Sequence, residues 1–211
     1  MEQGVPRRIE VRDHSNFTLA QALLAGALGA PYLPTKTLLG SDIARANGTF
    51  IEARSPIDDS PLLLIPAITP DVTVLAVQRA DADGNAHLWG PWGVSQEAAL
   101  AAKAVIVLTH EVVPREVIAS DPNRTIVPAL KVVAVVEDPG ACHPSPLQGK
   151  YGRDHEFFHD YHRATRTAEG FDAWIAEWVT GVKDRAAYLR RLGERWTALQ
   201  TPGTPAAEAR F

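Results

Sequence analysis

The sequence predicts an α/β protein whose last quarter is helical. Two observations carry that reading. Through the first 140 residues, short apolar, β-branched runs alternate with helix-like segments. Beyond about residue 155, apolar side chains recur at helical spacing instead. The expected organisation is an α/β domain over 1–140, a helical extension over 141–200, and a disordered tail over 201–211. A chain of 211 residues, 45% hydrophobic and 22% charged, is long and apolar enough to bury a core.

Ile9–Val11 is a short strand candidate. Ser15 or Asn16 is placed to cap a helix over Thr18–Leu28, TLAQALLAGAL, which is apolar nearly all round and so expected to be buried on several sides. PYLP and the following TKTLLGSD read as an ordered loop. Phe50–Arg54, Leu62–Ile65 and Val72–Val77 read as strands, the last two as buried ones. In the DADGN segment, Gly84 can take positive φ while Asp and Asn bond the local backbone, so Asp81–Asn85 is a turn. The chain then returns as a strand over Ala86–Trp89, completing a hairpin. An Ala-rich helix over Ser95–Lys103, a strand over Val105–Thr109, a short helix over Pro114–Ala119 and a last strand over Val132–Val136 follow.

After the Pro- and Gly-rich segment DPGACHPSPLQGKYG, three helices are expected. The middle one places Phe171, Trp174, Ile175, Trp178, Val179 and Val182 on one face. The last does the same with Leu189, Leu192, Trp196 and Leu199.

Several function classes are set aside. The net charge is −4 and no basic stripe is present, so nothing suggests a nucleic-acid binder. A single cysteine, Cys142, permits no internal disulfide and suits a reducing compartment. The segment MEQGVPRRIEV lacks the apolar run of a secretory signal, and no apolar stretch is long enough to span a bilayer, so a cytoplasmic protein is expected. His155, His159 and His162 share a helix face, but Phe157, Phe158 and Tyr161 mark a different face as the buried one, so no metal site is assigned. His110–Glu111 lacks the second histidine of a metalloprotease helix. Cys142 beside His143 reads as a structural turn, and DADGN lacks the later Glu of a calcium loop.

Several segments together resemble one family. SNFTLAQALLAGALGAPYLPTKTLLGSD is similar to an "SN…LAQ…AGA…PFLPTRSLLGSD" segment of the class I coenzyme A transferases. PDVTVLAVQRADADGNAHLWGP is similar to their "PDVA…VQRAD…GN…GP" hairpin. VVEDPGACHPSP followed by YGRDHEFFHDYHRA resembles their closing segment, in which a "PGGAHP" turn leads into "Y.RD..F...Y". The matches run in order from about residue 9 to residue 182. These enzymes are built from two kinds of subunit, A-type and B-type, and the chain looks like the A-type subunit of a glutaconate CoA-transferase.

The resemblance implies an open, largely parallel sheet with flanking helices, here incomplete at the N-terminus. It also implies a B-type subunit as partner, and leaves two readings of the N-terminal part of the A-type subunit: the chain is a fragment, or that part is separately encoded and is a second partner. In this family the nucleophile is a glutamate of the B-type subunit. It attacks the acyl-CoA thioester and passes through an enzyme–CoA thioester. No nucleophile is therefore assigned among Glu52, Glu97, Glu111 and Glu137. Coenzyme A is expected as substrate, with no permanently bound cofactor. The A-type subunit is expected to supply pocket walls. Ser15 and Asn16, at a strand-to-helix junction, and Gln78, at the end of a strand, are the first candidates. Gly40, in the LGSD segment, and Asn85 follow; Asn85 reads first as a turn residue, and the LGSD loop can be purely structural. Two other readings remain open. One is a non-catalytic remnant that binds a partner chain. The other is a same-fold subunit that hydrolyses or ring-opens a CoA thioester.

Overall fold

The structure, a computed structural model, describes residues 10–200. It divides into two compact units. The first contains residues up to Thr73 together with Gly93–Ala104, and the second contains Val74–Trp92 with the residues from Val105 onward.

In the first unit, α1 (Asn16–Leu28) opens with a capping box. The Ser15 Oγ accepts from the Thr18 N–H at 3.1 Å, and the Thr18 hydroxyl accepts from the Ser15 N–H at 3.0 Å. Gly29, at φ 68°, ends the helix in the left-handed conformation. β1 (Tyr32–Thr35), β2 (Ile51–Arg54) and β3 (Pro61–Pro66) form an antiparallel sheet in the order β1-β3-β2. PYLP is thus an edge strand rather than a loop: Pro34 sits opposite Leu64 on a border where its missing N–H is tolerated. α2 (Asp42–Asn47) is capped by Ser41. The core gathers Ala22, Leu63 and Ile65, with Leu38, Ala44, Phe50 and Ile68 packed on it. α3 (Ser95–Ala101) lies against α1. Their approach is close enough that a Cβ on Gly26 would fall on the Ile68 carbonyl oxygen and press on the Ala101 methyl.

In the second unit, β4 (Val72–Ala80, of which all but the first two residues belong here), β5 (Ala86–His87), β6 (Ala104–Val112), β7 (Thr125–Val127) and β8 (Val132–Glu137) form a mixed sheet. Its order is β7-β5-β4-β6-β8. β6 and β8 run parallel; β5 is antiparallel to both β4 and β7. The class is α/β, as expected. The Asp81–Asn85 turn joins β4 to β5: the Asp81 carboxylate accepts from the Gly84 and Asn85 N–H groups at 2.8 and 2.9 Å. Gly84, at φ 104°, presses so close to Val132 that a side chain there would collide with it. Leu75, Val77, Val105, Val107, Ile126 and Val127 are buried. α4 (Arg115–Ala119) links β6 to β7.

The C-terminal helices of this unit are α5 (His155–Ala164), α6 (Ala168–Ile175), α7 (Arg185–Leu192) and α8 (Glu194–Leu199). α6 continues as a wide π turn over Ala176–Thr180. The expected last helix is broken in two at Gly193, which takes φ 57°. Phe157, Tyr188 and Leu192 are buried, with Trp174, Trp178, Val182, Leu189 and Trp196 around them. The middle stripe is only partly covered, since Phe171 and Val179 stay 43% and 56% exposed. Glu10 and Val11 are not in a strand, and Ile9 and the expected frayed tail over 201–211 lie outside the described residues. Among the described residues no helix is long and apolar enough to cross a membrane.

Candidate functional site

In the first unit, the start of α1 is the element best built to meet a polar ligand. A helix start leaves its first N–H groups without intrahelical acceptors. Here the Ser15 Oγ takes one of them, accepting from Thr18 at 3.1 Å, while the Ser15 carbonyl accepts the first intrahelical bond, from Leu19 at 3.0 Å. The Ser15 side chain is therefore committed to the cap. Asn16 is exposed, and its carboxamide has no protein partner among the described residues. The segment just before α1 is held in place by Asn47, whose amide donates to the Asp13 carbonyl at 2.7 Å. His14 packs edge-on against Phe50, and burial lowers its pKa.

Gly40 is exposed at φ 76°, and its carbonyl accepts from Arg45 at 3.2 Å. Its neighbour Leu39 lines a shallow cleft of about 360 Å³ with Glu52, Ala53, Arg54, Pro61 and Leu62. Glu52 stands on this cleft, and Arg54 is held by Asp59 through two hydrogen bonds of 2.7 Å.

In the second unit Gln78 is fully buried inside β4, not at its end. Its amide nitrogen donates to the carbonyls of Trp89 at 2.9 Å and Gln148 at 3.1 Å, and its oxygen accepts from the Trp89 N–H at 3.2 Å. Both amide hydrogens are thereby used. The residue clips the hairpin exit to the segment after the HPSP turn. Asn85 is similarly engaged: it donates to the Asp81 carboxylate at 2.7 Å and accepts from the Ala129 N–H at 3.2 Å. It also borders a cleft of about 170 Å³ with Asp81, Arg115, Ile118, Ala119, Pro122 and Thr125. Gln78 and Asn85 thus belong to one unit, Ser15, Asn16 and Gly40 to the other.

Sequence reasoning missed a polar cluster at the carboxyl ends of the parallel pair β6 and β8, where α/β sheets commonly bind ligands. His110 Nδ1 lies 3.0 Å from the Pro139 carbonyl, which can only accept, so Nδ1 carries the proton and Nε2 keeps a lone pair. Burial lowers the His110 pKa. Beside it, Lys150 pairs with Glu111 at 3.1 Å. Only the sheet ends signal this grouping; residues 110, 111 and 150 have no readable spacing.

A second buried group, also missed, is a fastening. Tyr188 donates to His143 Nδ1 at 2.7 Å, and His143 Nε2 donates to Asp154 at 3.1 Å. Asp154 also caps α5 by accepting from the Phe157 N–H at 2.8 Å. The neighbouring Cys142 N–H donates to the Tyr151 hydroxyl at 2.9 Å, and burial raises the pKa of both side chains. The Cys142 thiol is thus held away from its reactive thiolate form. His155, His159 and His162 are exposed, and among the described residues no three metal-ligating side chains gather.

The family profile described as Coenzyme A transferase matches residues 3–138. The chain belongs to the coenzyme A transferase family. It is 37% identical over 194 residues to the A-type subunit of the 3-oxoadipate CoA-transferase of Pseudomonas knackmussii, covering 92% of this chain and 68% of that one. It is 32% identical over 202 residues to the A-type subunit of the glutaconate CoA-transferase of Acidaminococcus fermentans, covering 88% of this chain and 63% of that one. The crystal structure of glutaconate coenzyme A-transferase from A. fermentans superposes with a TM-score of 0.85 at 30% identity. That match covers 93% of this chain and 67% of the other. This family member therefore spans about two thirds of the length of these relatives.

Proposed function

We propose that this chain is the A-type component of a heteromeric CoA transferase. The assembled enzyme exchanges coenzyme A between an acyl-CoA and a carboxylic acid through a glutamyl-CoA thioester on the B-type subunit. The observation that carries this reading is the agreement of sequence and fold, along almost the whole chain, with proteins named as CoA-transferase subunits of the A type. Coenzyme A is a substrate here, with no resident cofactor. The partner is the B-type subunit, and the assembly also includes the remaining part of an A-type subunit, whether joined to this chain or supplied separately.

Within the pocket, the start of α1 is the contribution best supported by geometry. Asn16 offers an uncommitted carboxamide beside the positive end of a 13-residue helix. A thioester or carboxylate oxygen gaining charge during acyl transfer is stabilised by donors so placed. Ser15 sets the position of Asn16 through the capping box, and Gly40 gives backbone access beside the Leu39 cleft. Gln78 and Asn85, in the second unit, hold the hairpin in shape and position its main chain. The reading is tested by co-expressing the chain with the B-type subunit and that remaining part, then screening acyl-CoA donors against carboxylic acids. Exchange by the complex and none by this chain alone is the expected result; turnover by the chain alone contradicts it.

A further inference from the structure

α1 carries no charged residue in its 13 positions, NFTLAQALLAGAL. One side of it belongs to the core of the first unit. Thr18, Ala22 and Ala25 are fully buried and Leu23 is nearly so, against α3 and β3. The other side is as apolar but bare: Phe17, Leu24 and Leu28 are 55%, 40% and 67% exposed. Their spacing of i, i+7 and i+11 puts them in one row along the helix, with the partly buried Gln21 between Phe17 and Leu24. Tyr32, just beyond the helix on the edge strand β1, is exposed too. A helix apolar all round is one that is buried all round, and a contiguous exposed apolar row marks an interaction surface.

The relatives indicate what covers it. The A. fermentans chain superposes on 93% of this chain, while only 67% of its own length is matched. The P. knackmussii subunit shows the same proportion, 68%. In each relative about a third of the length has no counterpart here. A permanently bound segment of the same subunit suits a row with no charged residue, because obligate interfaces resemble a domain core cut in half. Interfaces that form and dissociate are about as polar as ordinary surface.

We propose that the Phe17–Leu24–Leu28 row of α1 is the seat of that remaining third of an A-type subunit. The segment is held there by apolar packing and completes the burial of the helix. The inference rests on the chain being an A-type component.

The test uses the full 211-residue chain. The probe is the part of the P. knackmussii 3-oxoadipate CoA-transferase A-type subunit that this chain does not match, produced as a separate tagged polypeptide. Co-expression should give a one-to-one complex. Leu24→Gln should weaken capture about ten-fold, and Phe17→Ser with Leu28→Ser more, with far-UV circular dichroism unchanged. Absence of capture overturns the proposal, as does capture that neither variant weakens. It is also overturned if the parent chain dimerises and the variants are monomeric, or if the row is shielded by a B-type subunit with no other chain present. CoA transfer is assayed separately on the assembled complex. A complex that needs the row but transfers no CoA supports the docking and defeats the transfer reading. Transfer by a complex indifferent to the variants does the reverse.

Discussion

The Tyr188 hydroxyl lies 2.7 Å from Nδ1 of His143, on a ring whose other nitrogen lies 3.1 Å from Asp154. One imidazole thereby joins the turn after β8 to the first buried residue of α7 and to the cap of α5. Removing it leaves a hydroxyl and a carboxylate buried with fewer partners. His143→Ala is expected to lower stability by roughly 1–3 kcal/mol for each group so stranded. The measurement is the urea midpoint, and a variant matching the parent contradicts the fastening role.

The same residue gives a pH dependence. Burial, the largest cause, lowers the His143 pKa below its ordinary value of 6.5, with Asp154 opposing and Arg185 and Arg195 reinforcing the shift. The unfolded chain therefore binds a proton at a higher pH than the folded one. The stability due to the neutral ring is present above about pH 6.5 and is lost as pH falls below it toward the folded pKa. His14, His87 and His110 are shifted in the same direction, each mainly by burial. Unfolding free energy should thus decline below about pH 6.5, with a shallower decline in His143→Gln. An equal slope in that variant assigns the effect to the other three histidines.

Asn16 and Gln78 should separate in kind. Asn16→Ala is expected to reduce kcat/KM of the assembled enzyme by on the order of 10², the loss typical of one oriented donor, with an unchanged urea midpoint. Gln78→Ala breaks three hydrogen bonds at a fully buried site and should lower the midpoint by the equivalent of ~1–3 kcal/mol. Full activity in Asn16→Ala removes the start of α1 from the pocket.

The helical tail should prove integral. Phe157 meets Trp174 and Trp178 edge-on, with ring centroids 5.1 and 4.9 Å away. Phe157→Ala is expected to cost ~3–5 kcal/mol, and Trp174→Ala, at a half-buried site, less. Parent-like denaturation of Phe157→Ala contradicts a packed cluster.

Much of this fold was legible because local signals agreed with burial. The apolar run after Ser15, the DADGN turn, the Leu-rich run of β3 and the β-branched runs of β4, β6 and β8 each formed the expected element. β1 was hidden by Pro31 and Pro34, which argue against a strand except at an edge. β7 has three residues, too few for a period, and forms by pairing with β5. The Leu189–Leu199 stripe predicted one helix because its spacing persists across Gly193, where the chain breaks it. Of the candidate site, the helix start at Ser15 or Asn16, where Ser15 is the cap, was readable. The commitments of Gln78 to Trp89 and Gln148, and of His143 to Asp154 and Tyr188, were not, because they join residues up to 70 positions apart.

In the proposed division of labour, this chain shapes the pocket while the B-type subunit carries the covalent chemistry. Intact-mass analysis of the assembled enzyme, incubated with its acyl-CoA donor and no acceptor acid, tests that division most directly. The expected result is a coenzyme A adduct on the B-type subunit with unmodified mass for this chain. An adduct on a carboxylate of this chain, such as Glu111 or Glu52, would contradict it.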